Sequence, residues 1–227
     1  METGMSAPDA ALAEWIGRSE TITDTDTDTD TDTATPVAAL AATLDRPVED
    51  VPPGTILPPL WHRLYFLPRH RQSEIGADGH ARRGGFLPPV PLPRRMWAGG
   101  GFEFRSPIRV GDRVTRTSTI ADLKTKQGRT GPLVFVTVRH EVRCNGATDP
   151  ALVEFHDIVY REARQPGDSE PSPVRAATGS RWQSEILPDD VLLFRHSALT
   201  FNGHRIHHDR RYVTGVEGYP ASSSTGR

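Results

Sequence analysis

Two long apolar runs constrain the fold of this chain more than any other feature. They are Leu-Val-Phe-Val-Thr-Val-Arg-His-Glu-Val at 133–142 and Ala-Leu-Val-Glu-Phe-His-Asp-Ile-Val-Tyr at 151–160. Both are rich in β-branched and aromatic residues, and both are bounded by Gly, Asn and Pro turn residues, so they read as strands. Upstream, Val-Thr-Arg-Thr-Ser-Thr-Ile at 114–120 follows a Pro-Ile-Arg-Val-Gly-Asp turn at 107–112, and Phe102-Glu-Phe104 alternates. The pattern turns to β from Met96, with Gly99-Gly-Gly101 as a flexible lead into a strand. That glycine triplet lacks the strand-and-helix context of a phosphate loop. About four or five antiparallel strands are predicted.

Helical patterning is sparse. Residues 35–45 combine an N-cap Thr35, a proline in the first turn and a Val37/Leu40/Ala41/Leu44 stripe, which predicts a helix. Residues 7–17 read as a short helix closed by Gly17. Between them, residues 23–33 simply alternate Thr and Asp, with no apolar face for a strand and no glycine turns for a calcium loop. A self-repelling disordered insertion is expected there. Pro-rich linkers at 51–53, 57–59 and 87–93 enclose an aromatic segment at 60–67, and 165–179 is a Pro/Ser/Gly linker.

Near the C-terminus an apolar lead-in, Val191-Leu-Leu-Phe194, empties into Thr200, Asn202, His204, His207, His208 and Asp209. A hydrophobic run ending in acid/base-capable side chains looks like a core element that stops at a reaction site. The segment resembles the signature of the MaoC-like hydratases and dehydratases, Ser/Thr-Gly-Asp-x-Asn-Pro-x-His-x-Asp. Thr200, Asn202, His204, Ile206, His207 and Asp209 fall on its Ser/Thr, Asp, Asn, apolar, His and final Asp positions. Asn202 stands where the family has its catalytic aspartate, and Arg205 where it has proline. The Asn-Gly-His-Arg-Ile-His variant is similar to the branch holding mesaconyl-C4-CoA hydratases and type 2 hydroxyacyl-thioester dehydratases. The Pro-Ile-Arg-Val-Gly-Asp turn also recurs in that family.

The resemblance implies an α+β hot-dog fold, an antiparallel sheet wrapped round a helix, here that at 35–45. It also implies a double hot-dog whose second unit is truncated. The expected organisation is an N-terminal helix and Thr-Asp tract (1–34), a first hot-dog (35–163), a linker (164–180) and the start of a second hot-dog (181–227). Family members continue past the Glu-Gly-Tyr-Pro segment with something like Gly-Leu-Val-Val-His-Gly-Pro-Leu, leading into the second unit's helix. Dropping the first base of GC-rich codons for that continuation yields Ala-Ser-Ser-Ser-Thr-Gly-Arg and a stop, which is the sequence at 221–227. A one-base deletion, or a sequencing error, in a GC-rich gene is therefore expected. The segment 182–219 is expected to be poorly packed, or supported by the first domain and a partner subunit.

The implied activity is addition or removal of water across the α,β-bond of an acyl thioester. The alternative is a non-catalytic acyl-thioester-binding or dimerisation module. A histidine suits such chemistry because its ordinary pKa of about 6.5 lets it work in either direction. His207, at the family's histidine, is the candidate general base and acid. Asn202 cannot accept a proton at neutral pH, so its candidate role is to orient water or a substrate hydroxyl. Asp209 would orient a neighbouring ring or cap the following turn. By resemblance, the oxyanion donor is a backbone N–H at the start of the second helix. A metal held by His204, His207, His208 and Asp209 is disfavoured, since no zinc signature fits; neither metal nor cofactor is expected.

Arg69-His70-Arg71, Arg82-Arg83 and Arg94-Arg95 form a basic series interleaved with Trp61, Tyr65, Phe66 and Trp97. Guanidinium forks suit the phosphates of CoA or a carrier protein, although a solvated face reads equally well. Arg94, Arg95 and Arg205 are the candidate substrate-binding residues. A net charge of -2 argues against nucleic acid. No window approaches the roughly 20 apolar residues of a bilayer span, so no membrane partner is expected. Cys144 is the only cysteine, and the acidic N-terminus lacks a signal-like apolar stretch. The expectation is a cytoplasmic homodimer acting on an acyl-CoA or acyl-carrier-protein thioester.

Overall fold

The computed structural model describes residues 7–24, 34–47, 51–129, 131–163, 179, 181 and 186–219. The strands are β1 (Ser19–Asp24), β2 (Arg94–Phe104), β3 (Val114–Gly128), β4 (Gly131–Cys144) and β5 (Leu152–Arg161). They form one antiparallel sheet in the order β1-β3-β4-β5-β2. The two runs that dominate the sequence are β4 and β5, joined through Asn145 and Gly146 at φ 52 and 75°, a conformation that Asn and Gly adopt at little cost. Asn145 also pins the 107–112 turn, accepting from Arg113 N at 3.0 Å and donating to Asp112 at 2.8 Å.

Three local expectations are corrected. The start of the Thr-Asp tract, Thr23 and Asp24, belongs to β1, a strand the sequence did not announce. An edge strand needs little apolar surface: Ile22 alone packs inward, while Thr21 and Thr23 face Thr117 and Thr115 across the ladder. Residues 25–33 lie outside the described residues. The glycine triplet is not a lead-in but the interior of β2, beside a register shift between Trp97 and Gly99. At Gly100 a Cβ would sit 2.3 Å from Phe155 O, so the close approach of β5 excludes any side chain. Finally, Thr35 does not cap its helix; Ala34 is the N-cap, with no side-chain bond.

One face of the sheet carries the core. At one end Val134, Val136, Val138, Ile120, Ile158 and Tyr160 pack under residues 86–92 and the first helix, α1 (Ala7–Ala13). At the other, Val114, Val142 and Leu152 pack with Val37 and Leu40 of α2 (Thr35–Thr43) and with Leu57, Leu64 and Phe66. The predicted stripe thus faces the core, as a helix laid on the sheet requires. Between the two apolar ends runs a polar belt. His140 lies opposite Ser118 on β3 and Glu154 on β5, with His156 one step along. From the covering loop, Arg63 donates to Glu154 and His62 stands 3.7 Å from its other oxygen.

From residue 186 the described chain adds α3 (Asp190–Leu199), a 3-10 turn (Arg205–His207) and α4 (Arg210–Tyr212), which runs on to Glu217. In this segment α3 lies against α2 and the turn against residues 77–79. The apolar lead-in is only half a core element. Leu193 is buried, whereas Val191 and Phe194 are 64% and 61% exposed. Among the described residues no helix is long and apolar enough to cross a membrane.

Candidate active site

The signature is assembled from its own backbone upward. Asp189 caps α3 by accepting from Leu192 N at 2.8 Å, and Thr200 ends the helix with its hydroxyl on His196 O at 2.8 Å. Phe201 then turns the chain at φ 49°, in the left-handed region, at the position where the resembled signature has glycine. Asn202 Oδ1 accepts from His204 N at 3.1 Å, forming an Asx turn that presents the next residues. Asp209 caps the following helix by accepting from Tyr212 N at 3.0 Å, the second of the two roles open to it.

The turn docks on residues 77–79 through glycines. A Cβ at Gly79 would lie 1.8 Å from Gly203 O, and Gly79 itself has φ +87°, so neither sterics nor backbone tolerates a side chain there. Arg205 N donates to Asp78 O at 3.0 Å and its guanidinium to Ala77 O at 3.0 Å. The same guanidinium is paired with Asp209 at 2.7 Å and lies 4.4 Å over the Tyr212 ring.

Docking brings together side chains that are far apart in sequence. His80 stacks on His204 with ring centroids 3.9 Å apart, and His204 meets His207 edge-on at 5.3 Å. Asp78 holds the His80 Nδ1 at 3.0 Å. Burial drives His204 down to about 3, helped by repulsion from His80 and His207. His80 is lowered too, by burial against the pull of Asp78. The Asp78 carboxyl resists its own burial and stays well below the usual carboxylate range because of His80. His204 is therefore neutral near pH 7.

The sequence predicted His207 and Asn202 but not Asp78 and His80. Their only local signal is the Asp-Gly-His tripeptide at 78–80, between the aromatic segment at 60–67 and the Pro-rich run at 87–93. Of the candidate arginines, Arg94 pairs with Glu217 at 3.1 Å, Arg205 is engaged as described, and Arg95 makes no ion pair among the described residues. Among those residues, the group that comes within metal-ligand reach is not in the signature: it is His140, Glu154 and His156, whose ligand atoms lie within 4.8 Å of one another. Arg63 already holds Glu154, and the charge of Arg116 also reaches His140, an arrangement that disfavours a divalent cation.

Residues 60–222 match the profile of the hydroxyacyl-thioester dehydratase type 2 family. The chain belongs to that family. It is 46% identical over 212 residues to the mesaconyl-C(4)-CoA hydratase of Chloroflexus aurantiacus, covering 91% of this chain and 71% of that one. It is 24% identical over 202 residues to the mitochondrial hydroxyacyl-thioester dehydratase type 2 of Schizosaccharomyces pombe, covering 78% of this chain and 64% of the relative. A MaoC-like dehydratase from Phytophthora capsici matches 96% of this chain and 72% of its own at TM-score 0.57 and 14% identity. HtdX of Mycobacterium tuberculosis matches 92% of this chain and 71% of its own at TM-score 0.51 and 18% identity. These likenesses show the hot-dog fold, with α2 laid on the inner face of the five-stranded sheet.

Proposed function

We propose that this chain is an acyl-thioester hydratase/dehydratase, a hydro-lyase whose general base and acid is His207. The observation that carries this reading is the docked turn, which sets His207 beside the neutral His204 and the Asp78-held His80. In hydration, His207 takes a proton from water and the water oxygen bonds to the β-carbon. The C=C electron pair moves toward the thioester carbonyl, and the α-carbon is then protonated; dehydration reverses each step. Asn202, whose Oδ1 is held by His204 N, orients the water through its amide NH2. With an amide in place of the family's aspartate, proton transfer centres on the one imidazole. The thioester is carried on CoA or an acyl carrier protein, and acyl groups of the mesaconyl-C4 or 3-hydroxyacyl kind are the candidates. Arg95 faces the substrate, while Arg94 and Arg205 hold the segment in place. A cytoplasmic homodimer whose second hot-dog unit opens near Arg181 completes this reading.

The test follows the enoyl-thioester absorbance band. The chain should bleach it in the presence of water, and His207→Ala should not. Thioester binding with no turnover by the unsubstituted protein would instead favour the non-catalytic module.

A further inference from the structure

Asp78 and His80 lie outside the signature, and the scheme above gives them no step. They sit on a short hairpin in which Ile75 bridges Ala81 and Gly76 N donates to His80 O at 2.7 Å. At its tip Asp78 turns both carboxylate oxygens on His80. One accepts from the backbone N at 3.0 Å and the other meets ring Nδ1 at 3.0 Å. The turn that carries His207 closes over this tip, and the His80 ring stacks on His204, which itself meets His207. Docking does not seal the pair, since the side chains of His80 and Asp78 remain 28% and 38% exposed. An ionised carboxylate at Nδ1 makes that nitrogen the N–H donor and leaves the lone pair on Nε2. Burial is the main opposition to a second proton on this ring; Arg95 and Arg83 add to it, while Asp78 favours the proton.

Moving water across a C=C bond transfers two protons, one at the oxygen and one at the α-carbon. Asn202 cannot carry either, and His204 is held too low to keep a proton near pH 7. His207 alone would have to serve two atoms. We propose that His80, held by Asp78, is the second proton-transfer residue, exchanging the proton at the α-carbon while His207 exchanges the one at the oxygen. In dehydration His80 Nε2 takes the α-proton and the C–H electron pair becomes the C=C bond. The C–O bond breaks, and the protonated His207 gives its proton to the departing hydroxyl, which leaves as water. Hydration reverses each transfer. Asp78 fixes the His80 tautomer and stabilises the imidazolium formed on it, the service a carboxylate gives a histidine base. This rests on the hydratase/dehydratase reading and deepens it by naming the group that serves the α-carbon.

The experiment is the pH profile of kcat/KM for hydration of mesaconyl-C4-CoA and dehydration of 3-hydroxybutyryl-CoA. The protein and its His80→Gln and Asp78→Asn variants are each checked for folding by circular dichroism across the pH range. Two imidazoles sharing one proton give a profile with a maximum, falling on both sides. His80→Gln should lower kcat about 100-fold with KM little changed, and should collapse the profile to a single limb. Asp78→Asn removes the group that favours a proton on His80, so the limb set by that ring should move to lower pH. A kcat within about twofold of the unsubstituted protein in His80→Gln would overturn the proposal. A lower kcat with the profile unchanged in shape would overturn it too, because a purely structural ring gives that result. Should His80→Gln fail to fold, Asp78→Asn decides alone, and an unshifted profile sinks the proposal. If the unsubstituted protein turns over neither thioester, the hydratase reading fails and takes this proposal with it. Turnover with an unaltered His80→Gln profile removes this proposal and leaves that reading standing.

Discussion

The polar belt across the sheet and the docked turn that carries His207 are both built around histidines beside a carboxylate, but their surroundings differ. In the belt the charges are matched internally. Glu154 takes Arg63 and stands beside His62, and these partners overcome its burial to bring it to about 2. His140 bonds the Ser118 hydroxyl at 2.8 Å, and burial takes it down to about 4. At the turn the imidazoles face one another, Asp78 holds His80, and among the described residues Arg95 pairs with no carboxylate. The belt is braced by a guanidinium against a carboxylate, whereas the turn is held by imidazole packing and by the close approach of two glycines.

Substitutions should separate the two regions. His207→Ala is expected to lower kcat by about 10³-fold, in the range of a lost general acid/base, while its Tm stays close to that of the unsubstituted protein. A comparable loss of stability would place His207 among the structural histidines. Glu154→Ala should do the converse, because removing one partner of a buried pair leaves Arg63 and its neighbours uncompensated. Urea unfolding should report a loss of about 3–5 kcal/mol, and a loss below about 1 kcal/mol would show the belt to be open to water.

Gly79→Ala and Gly100→Ala carry the comparison to the backbone. The first places a Cβ against Gly203 O and should undock the turn, exposing residues 200–219 to limited proteolysis while the sheet stays protected. The second places one against Phe155 O and should weaken the sheet by roughly 1–3 kcal/mol, with β2 losing hydrogen-exchange protection. Identical effects from the two would mean that sheet and turn unfold as one unit.

The smallest effect is on pH dependence. His140 is held near 4 and His204 near 3 in the folded chain, against 6.5 when exposed. The unfolded chain therefore binds more protons below pH 6.5, and stability should be fully present above that value and decline as pH falls toward 4. His140→Gln should flatten part of this slope in a Tm–pH series. Glu154 contributes in the same direction lower down, between about 4.5 and 2.

Much of this architecture was legible in the chain itself. Strands β4 and β5, the Val37/Leu40 face of α2 and the Pro-Ile-Arg-Val-Gly-Asp turn follow from local patterning, because burial on one face imposes a period that single residues reveal. Strand β1 was not legible, since an edge position lets Thr and Glu serve where a central strand would demand Val or Ile. Gly99-Gly-Gly101 looked like slack because the reason for Gly100 is the backbone of Phe155, on a strand some 55 residues away.

The same division holds at the site. The sequence by itself determined the hot-dog sheet and the family signature and nominated His207 and Asn202 as candidates, because these lie in contiguous runs whose residue types carry their own chemistry. Only the tertiary structure decided that Asp78 and His80 join them, that Arg94 and Arg205 are internally paired, and that Arg95 meets a buried Tyr160. Stacking, ion pairing and desolvation depend on distances through space, and the folding of residue 79 onto residue 203 sets those distances.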